Sequence, residues 1–489
     1  MIDEDYLLID WQQLAKDYQA SWQVKKVREA GAYYGSSPDG TPKLPHSLKL
    51  RDYQKTAILG WFHNRGRGTL KMATGSGKTI TALALATELY EKIGLEILVI
   101  ICPYRHLVSQ WAKECSNFNL LPILAFESVY NWQSLLSNAL YNLRSQQQKF
   151  VTIITTNSSF IGEGFQSQLK FFTHKTLIIG DEAHNLGSSK LEELLPRHIG
   201  LRLGLSATPE RYFDDEGTEA VIGYFGEILQ PEFTLADAIE KGALVNYHYY
   251  PIFVELTGAE SLEYAKITQK IGWAMAKYDR LIQDDNLTSL LMQRARLVGA
   301  AQNKIPALRR LMLDRLHTTH TLFYCGDGQT EDKDNKTRRQ LETVSHLLGV
   351  ELGYRVSTYS AETPLNEREK IRQQFDRGEL QGLVAIRCLD EGIDIPSIQT
   401  AVILASSSNP RQFIQRRGRI LRPYGGKNSA TLFDMIVMPP ELDRETWQVE
   451  KNLLRKELKR FVEFARLARN ADEAIEQLKT IENCFGVED

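Results

Sequence analysis

A chain of 489 residues exceeds what one ordinary core organises, so two or three domains are expected. With 43% hydrophobic and 25% charged residues and no low-complexity tract, the composition is that of a globular protein and excludes a disordered or fibrous one. A formal net charge of −2 excludes a protein that holds polyanions by bulk positive charge; a phosphate backbone would need a local basic groove.

The first residues, "MIDEDYLLID", are acidic where a signal peptide would be basic, which points to a cytoplasmic protein. A helical start is followed by "GSSPDGTPKLP", a loop by its turn chemistry. The stretch Thr69–Met72 reads as a short strand and Ile80–Leu89 as a helix, with "ATGSGKT" (Ala73–Thr79) between them. Strand, glycine loop and helix in that order make a phosphate cradle. Gly75 and Gly77 free the backbone N–H groups to face phosphate oxygens, and the helix N-terminus adds positive partial charge. In such a loop Lys78 reaches the β- and γ-phosphates and the Thr79 hydroxyl ligates Mg²⁺.

Further strands are expected at Glu96–Pro103, Phe150–Thr156, Thr176–Gly180 and Leu203–Ala207. The longest apolar run, Ile97–Ile101, is strand-sized and far below a membrane span. At the end of the third of these strands stands "DEAH", Asp181–His184, where an open α/β sheet binds its ligands. Asp181 there suits a Mg²⁺ ligand, and Glu182 a base that positions and polarises the attacking water.

From Asp214 to Ala300 the pattern changes to helices, Leu262–Asp279 and Asn286–Ala301, with an extended piece at Tyr247–Leu256. Strands resume at Thr321–Cys325, Arg355–Tyr359, Gly382–Arg387, Ala401–Ala405 and Thr431–Met435, and Glu441–Ile481 closes the chain as one or two long helices. Near-continuous apolar strands alternating with helices indicate parallel sheets covered on both faces, here two of them. Five cysteines (Cys102, Cys115, Cys325, Cys388 and Cys484) show no C-x-x-C pair, so neither a zinc site nor a disulfide framework is expected. Cys102, Cys325 and Cys388 fall at or near strand ends, as small hydrophobes do.

The glycine loop and "DEAH" together resemble the superfamily 2 helicases and translocases, and the other motifs follow in that family's order. "LRDYQ" (Leu50–Gln54) looks like the adenine-reading Q motif, "CPYRHLVSQW" (Cys102–Trp111) motif Ia and "TTNSSF" (Thr155–Phe160) motif Ib. "SATP" (Ser206–Pro209) is similar to motif III, "LFYCGD" to motif IV, "IRCLDEGIDIP" (Ile386–Pro396) to motif V and "QRRGRILR" (Gln415–Arg422) to motif VI. The wording around "KIPALRRLM" and "LASSSNPRQFIQRRGRILRP" is similar to the XPB-type and type III restriction motors.

The resemblance implies an α/β fold of two tandem RecA-like lobes. Residues 45–213 would be the ATP-binding lobe and 301–440 the second lobe. A helical insert would occupy 214–300, with an N-terminal extension at 1–44 and C-terminal helices at 441–489. It implies ATP and Mg²⁺ as cofactors. Arg51, Gln54, Thr74, Gly75, Ser76, Gly77, Lys78, Thr79, Gly392, Asp394 and Gln415 would bind ATP, with Thr79 and Asp181 at the metal. Arg419 and Arg422 correspond to arginines that reach the γ-phosphate, and His184, Ser206 and Thr208 to residues that couple hydrolysis to strand binding. Pro103, Arg105, Thr156, Asn157, Ser360 and Arg387 fall where relatives contact a nucleic-acid strand. Two departures stand out: Arg387 occupies a position where many relatives have threonine, and Gly180 precedes "DEAH" where Val, Ile or Asp is commoner.

The activity implied is ATP-dependent translocation on, or unwinding of, double-stranded DNA, as the motor of a restriction or phage-defence system. No nuclease motif is found, so any nuclease would be a partner chain docked on the terminal segments, and no membrane is involved. An RNA helicase and an ATP-gated nucleic-acid clamp are the alternatives.

Overall fold

The computed structural model describes residues 9–24, 39–210, 214–277, 285–326, 328–331, 337–360, 363–386, 395–405 and 417–485. The chain divides into two units, Met1–Ala238 and Ile239–Asp489. No helix among the described residues is long and apolar enough to cross a membrane.

The first unit is built on six strands: β1 (Arg67–Lys71), β2 (Ile97–Cys102), β3 (Pro122–Ala125), β4 (Val151–Thr156), β5 (Thr176–Asp181) and β6 (Leu201–Ser206). They pair in parallel in the order β1-β6-β5-β2-β4-β3. Every residue of β2, β4, β5 and β6 is buried, as expected of strands covered on both faces. The helix Lys78–Ile93 is buried along Thr81–Leu89, and Arg105–Asn117 turns in Leu107, Val108, Trp111 and Cys115, a helical stripe. The helix Trp11–Val24 sets Trp11 edge-on to Trp61 and Tyr18 edge-on to Phe62, so this part of the N-terminal extension caps the first unit.

The second unit carries β7 (Asn246–Glu255), β8 (Thr321–Cys325), the hairpin β9 (Gln329–Glu331) and β10 (Thr337–Arg339), β11 (Val356–Tyr359), β12 (Gly382–Ile386), β13 (Thr400–Ile403) and β14 (Ser429–Met438). Six of these form a parallel sheet in the order β11-β12-β8-β13-β14-β7. The two expected parallel sheets are therefore present, and the fold is that of two α/β lobes.

The expected helical insert at 214–300 takes a different form. Its first part, the helix Asp215–Phe225, belongs to the first unit, where Val221, Tyr224 and Phe225 enter the core and Ile228 and Phe233 bridge to Thr69 and Met72. The extended piece within it is β7, which pairs with β14 along ten residues and forms the edge of the second sheet. The helices Gly258–Lys277 and Asp285–Gly299 then pack with Arg444–Arg466, sharing Ile267, Ile271, Ala274, Leu290, Val449 and Leu453. Backbone that reads as a spacer is thus divided between the two cores, because its apolar residues find partners far away in sequence.

A buried polar knot joins the same helices. Arg294 donates to Glu450 at 3.0 Å, to Tyr264 at 2.6 Å and to Glu457 at 3.1 Å. Beside β7, Asn470 accepts from the Tyr249 amide and donates to the Tyr249 carbonyl, both at 2.9 Å, closing the sheet edge with the turn between the last two helices. The C-terminal helices, Arg444–Arg466 and Ala471–Phe485, therefore contribute to the core of the second unit.

Candidate active site

The residues expected to face a nucleotide in the first unit gather at the carboxyl ends of β1, β5 and β6. Gly75 and Gly77 take φ of 86° and 90°, values open to glycine, and Gly77 caps the helix Lys78–Ile93. A Cβ at Gly77 would stand 2.7 Å from Gln54 Nε2, so the loop is close-packed as well as left-handed. Ser76 is buried and its Oγ donates to the Ala73 carbonyl at 2.7 Å. The Lys78 ammonium donates to the carbonyls of Met72 at 3.1 Å and Ala73 at 3.5 Å, placing a cation at the loop's mouth. Thr74 Oγ1 and Thr208 Oγ1 are buried with no hydrogen-bond partner within the chain. Left-handed glycines, a lysine at the mouth and orphaned hydroxyls fit a phosphate-bearing ligand.

The Q-like segment packs directly on this loop. Gln54 is buried; its Oε1 accepts from the Arg51 amide at 2.9 Å and its Nε2 donates to the Gly77 carbonyl at 3.3 Å. Tyr53 donates from its hydroxyl to the Ser76 carbonyl at 2.6 Å and stacks on Phe233 at 3.8 Å. Sequence reading gave Gln54 a base-reading role alone. The structure adds a second one, since Gln54 and Tyr53 hold the backbone of the phosphate loop from behind.

Asp181 ends β5, one residue beyond the expected strand, and is buried. Its Oδ1 accepts from the Glu182 amide at 3.0 Å and its Oδ2 from Trp111 Nε1 at 2.8 Å. Burial foremost, then the Glu182 carboxylate, raises its pKa to about 6, against the lowering pull of the Trp111 N–H, the Lys78 charge and the Glu182 amide. A carboxylate that costs energy to ionise here is one a cation would stabilise. Glu182 itself is left-handed, with φ 46° and ψ 54°, a strained setting for a side chain at the sharp turn out of the strand.

From Glu182 a polar chain runs to β6. His184 Nδ1 lies 3.6 Å from Glu182 Oε2 and 3.1 Å from Ser206 Oγ, and Ser206 Oγ in turn accepts from the Thr208 amide at 3.1 Å. The three residues expected to couple hydrolysis to strand binding are therefore in one connected array.

Gly180 also finds its reason. A Cβ there would stand 2.5 Å from Phe225 Cζ and 2.7 Å from Leu186 Cδ1. Gly204, its partner across β6, would meet Phe225 Cβ at 3.2 Å. The Phe225 ring uses the space that a larger residue before "DEAH" would fill.

The expected nucleic-acid contacts are divided. Cys102 and Thr156 pair at the ends of β2 and β4, so Pro103–Arg105 and Asn157 leave adjacent strand ends together. Arg105 is exposed and ion-paired with Glu127 at 3.3 Å, a bond weak enough at the surface to exchange for a phosphate. Asn157 Oδ1 is buried with no hydrogen-bond partner within the chain. Thr156 departs from expectation: it is buried, and its hydroxyl accepts from the Ser159 amide at 3.2 Å and lies 3.0 Å from Ser158 Oγ. That hydroxyl is committed to capping a helical turn, so Thr156 sets the shape of the loop instead of presenting a donor. Ser360 follows β11, and its backbone amide donates a hydrogen bond to Thr363 Oγ1 at 3.3 Å. Arg387, Gly392, Asp394 and Gln415 lie outside the described residues.

In the second unit the arginine run separates by role. Arg417 is buried and ion-paired with Asp434 of β14, beneath the Phe464 ring at 5.1 Å; Tyr249 also donates to Asp434, at 3.0 Å. That arginine ties its segment to β14 and to the helix Arg444–Arg466. Arg419 is buried and Arg422 half-buried on the short segment that follows. The signal available in advance was Asp434, an acid in the middle of an apolar strand, which needs a buried cation.

Residues 47–211 match the family model described as "Type III restriction enzyme, res subunit", and residues 304–424 the one described as "Helicase conserved C-terminal domain". The "DNA 3'-5' translocase XPB2" of Sulfurisphaera tokodaii is 26% identical over 409 residues, 78% of this chain and 80% of that one. The "Putative DNA 3'-5' helicase Rad25" of Haloarcula marismortui is 27% identical over 77% of this chain, which spans 51% of that relative's length. The "DNA 3'-5' helicase XPB" of Mycobacterium tuberculosis is 24% identical, with 81% of this chain and 62% of the relative covered. Among solved structures, the "ATP-dependent Type ISP restriction-modification enzyme LlaBIII bound to DNA" superposes with a TM-score of 0.55 at 18% identity, over 90% of this chain and 33% of that one, and supports the fold.

Proposed function

Since the chain carries both domains of a superfamily 2 helicase, we propose that it is an ATP-driven motor that translocates on or opens double-stranded DNA. The observation that carries this reading is the glycine loop, whose Lys78 charge acts on Asp181, together with the polar chain from Asp181 and Glu182 through His184 to Ser206 and Thr208, an arrangement able to link the state of a triphosphate to the shape of the first unit's strand ends. The choice of DNA rests on the relatives, whose names specify DNA translocase and helicase. The relatives' names also specify a 3'-5' polarity, and that polarity and processive movement are part of the same proposal.

Thr74–Thr79 would cradle the phosphates, with Arg51 and Gln54 at the base and Gly392, Asp394 and Gln415 completing the ATP contacts. Thr79 and Asp181 would hold Mg²⁺, which when bound neutralises charge between the β- and γ-phosphates. Glu182 accepts the proton of the attacking water, and the short path to His184 keeps that carboxylate oriented. Arg419 and Arg422 supply positive charge to the phosphoryl group in flight. Pro103, Arg105, Asn157, Ser360 and Arg387 contact the strand, with Thr156 shaping their loop. Hydroxyls and amides can hold a phosphate backbone without adding net charge, which accommodates a chain of −2.

The match of 47–211 to a restriction subunit supports placing this motor in a restriction or phage-defence system, with the nuclease on another chain. Displacement of a triplex-forming strand from duplex DNA tests the motor reading. Displacement that requires ATP, and that Arg419→Ala slows by about 10³-fold or more while ATP affinity changes little, is the expected result. ATP binding that grips duplex DNA without displacing the third strand would replace the motor with a clamp.

A further inference from the structure

We propose that Trp111 is a positioning residue for Asp181, fixing the carboxylate that receives the divalent cation; this rests on the reading of Asp181 as a metal ligand. Trp111 lies seven residues into the helix Arg105–Asn117, on the face that turns into the core, and is 2% exposed. Its position in an apolar stripe explains the ring but leaves the indole N–H to be satisfied, and a buried indole N–H needs an acceptor. That acceptor is Asp181 Oδ2, at 2.8 Å and 70 residues away in sequence. The other oxygen, Oδ1, is held by the Glu182 amide at 3.0 Å.

Two donors on two oxygens fix the plane of the carboxylate, and each oxygen keeps one lone-pair direction free. The backbone donor is tied to the turn out of β5, so it cannot set that plane alone. The indole is the side chain that decides which way the remaining lone pairs point. Outer partners of this kind commonly alter metal affinity by roughly 10–100-fold when removed. The phenyl ring of Trp111→Phe keeps most of the packing and deletes the donor. It should therefore uncouple orientation from stability.

The experiment is a Mg²⁺ titration of a fluorescent ADP analogue on the full chain, for the wild type, Trp111→Phe, Asp181→Asn and the double variant. Thermal midpoints and analogue affinity in excess chelator are measured alongside. Trp111→Phe is expected to keep the chelator affinity and to raise the Mg²⁺ needed for half-saturation by roughly 10–100-fold. In the Asp181→Asn background the same change should add nothing, because the indole acts through that carboxylate.

A wild-type Mg²⁺ response in Trp111→Phe overturns the proposal, as does an equal loss in both backgrounds, which would mark Trp111 as packing alone. A wild-type response in Asp181→Asn overturns the metal-ligand reading itself, a result distinct from either. Where Trp111→Phe folds poorly, the benzothienyl analogue of tryptophan, which replaces the N–H by sulfur at constant ring size, carries the same comparison.

Discussion

Glu182→Gln is expected to keep ATP and DNA binding while steady-state hydrolysis falls by about 10²–10⁴-fold, the range for loss of a positioned acid–base group. The amide is isosteric with the carboxylate, so the left-handed turn at Glu182 and the hydrogen bond from its backbone to Asp181 survive. What is lost is an acceptor for the proton of the attacking water. The 3.6 Å approach to His184 Nδ1 is weakened as well, but His184 keeps Ser206 at 3.1 Å and Asn185 at 3.0 Å. Binding of a fluorescent nucleotide and of labelled duplex, measured beside phosphate release, separates the two effects. Unchanged turnover in this variant would remove Glu182 from the chemistry and leave the acidic pair a structural turn.

The second large effect concerns stability. Asp434→Ala is expected to destabilise the second unit by about 3–5 kcal/mol, because it leaves Arg417 charged, buried and uncompensated. Both side chains are almost wholly removed from water, and Asp434 is also the acceptor for the buried Tyr249 hydroxyl. Burial first, and the neighbouring Asp434 charge second, hold that phenol well above its usual range, so it remains a donor at all ordinary pH. Chemical denaturation followed by tryptophan fluorescence, to which Trp273 and Trp447 of this unit contribute, reads the effect. Replacing Arg417 and Asp434 together by apolar residues should cost much less than either single change. A single variant with wild-type stability would mean that the pair is not the anchor its burial indicates.

Arg417 illustrates what the sequence can and cannot convey. The density of arginines in "QRRGRILR" marks a functional segment, yet it does not say which arginine faces a ligand and which faces the core. Only the partner decides, and Asp434 sits on a strand formed later in the chain. The strands themselves were readable because β2 is a continuous apolar run and β4, β5 and β8 are short runs rich in β-branched and aromatic residues. β7 was visible as extended chain but not as a member of the second sheet, since its burial alternates and its partner β14 is remote. β3, four residues at a sheet edge and only partly buried, has too little pattern to be seen.

The site follows the same rule. Residues whose task is set by local backbone, such as Gly75, Gly77 and Lys78, were legible from spacing. Residues defined by a distant partner were not. The Phe225 ring explains Gly180, the Asp181 carboxylate explains the Trp111 N–H, and the Ser159 amide takes up the hydroxyl of Thr156.

The most direct test of the central claim is steady-state ATP hydrolysis by the purified chain with no polymer, single-stranded DNA, duplex DNA and RNA, each at two salt concentrations. Stimulation by duplex DNA that fades as salt rises is the expected result, because the contacts are to phosphates. Stimulation by RNA in place of DNA, or hydrolysis indifferent to every polymer, would contradict a DNA motor.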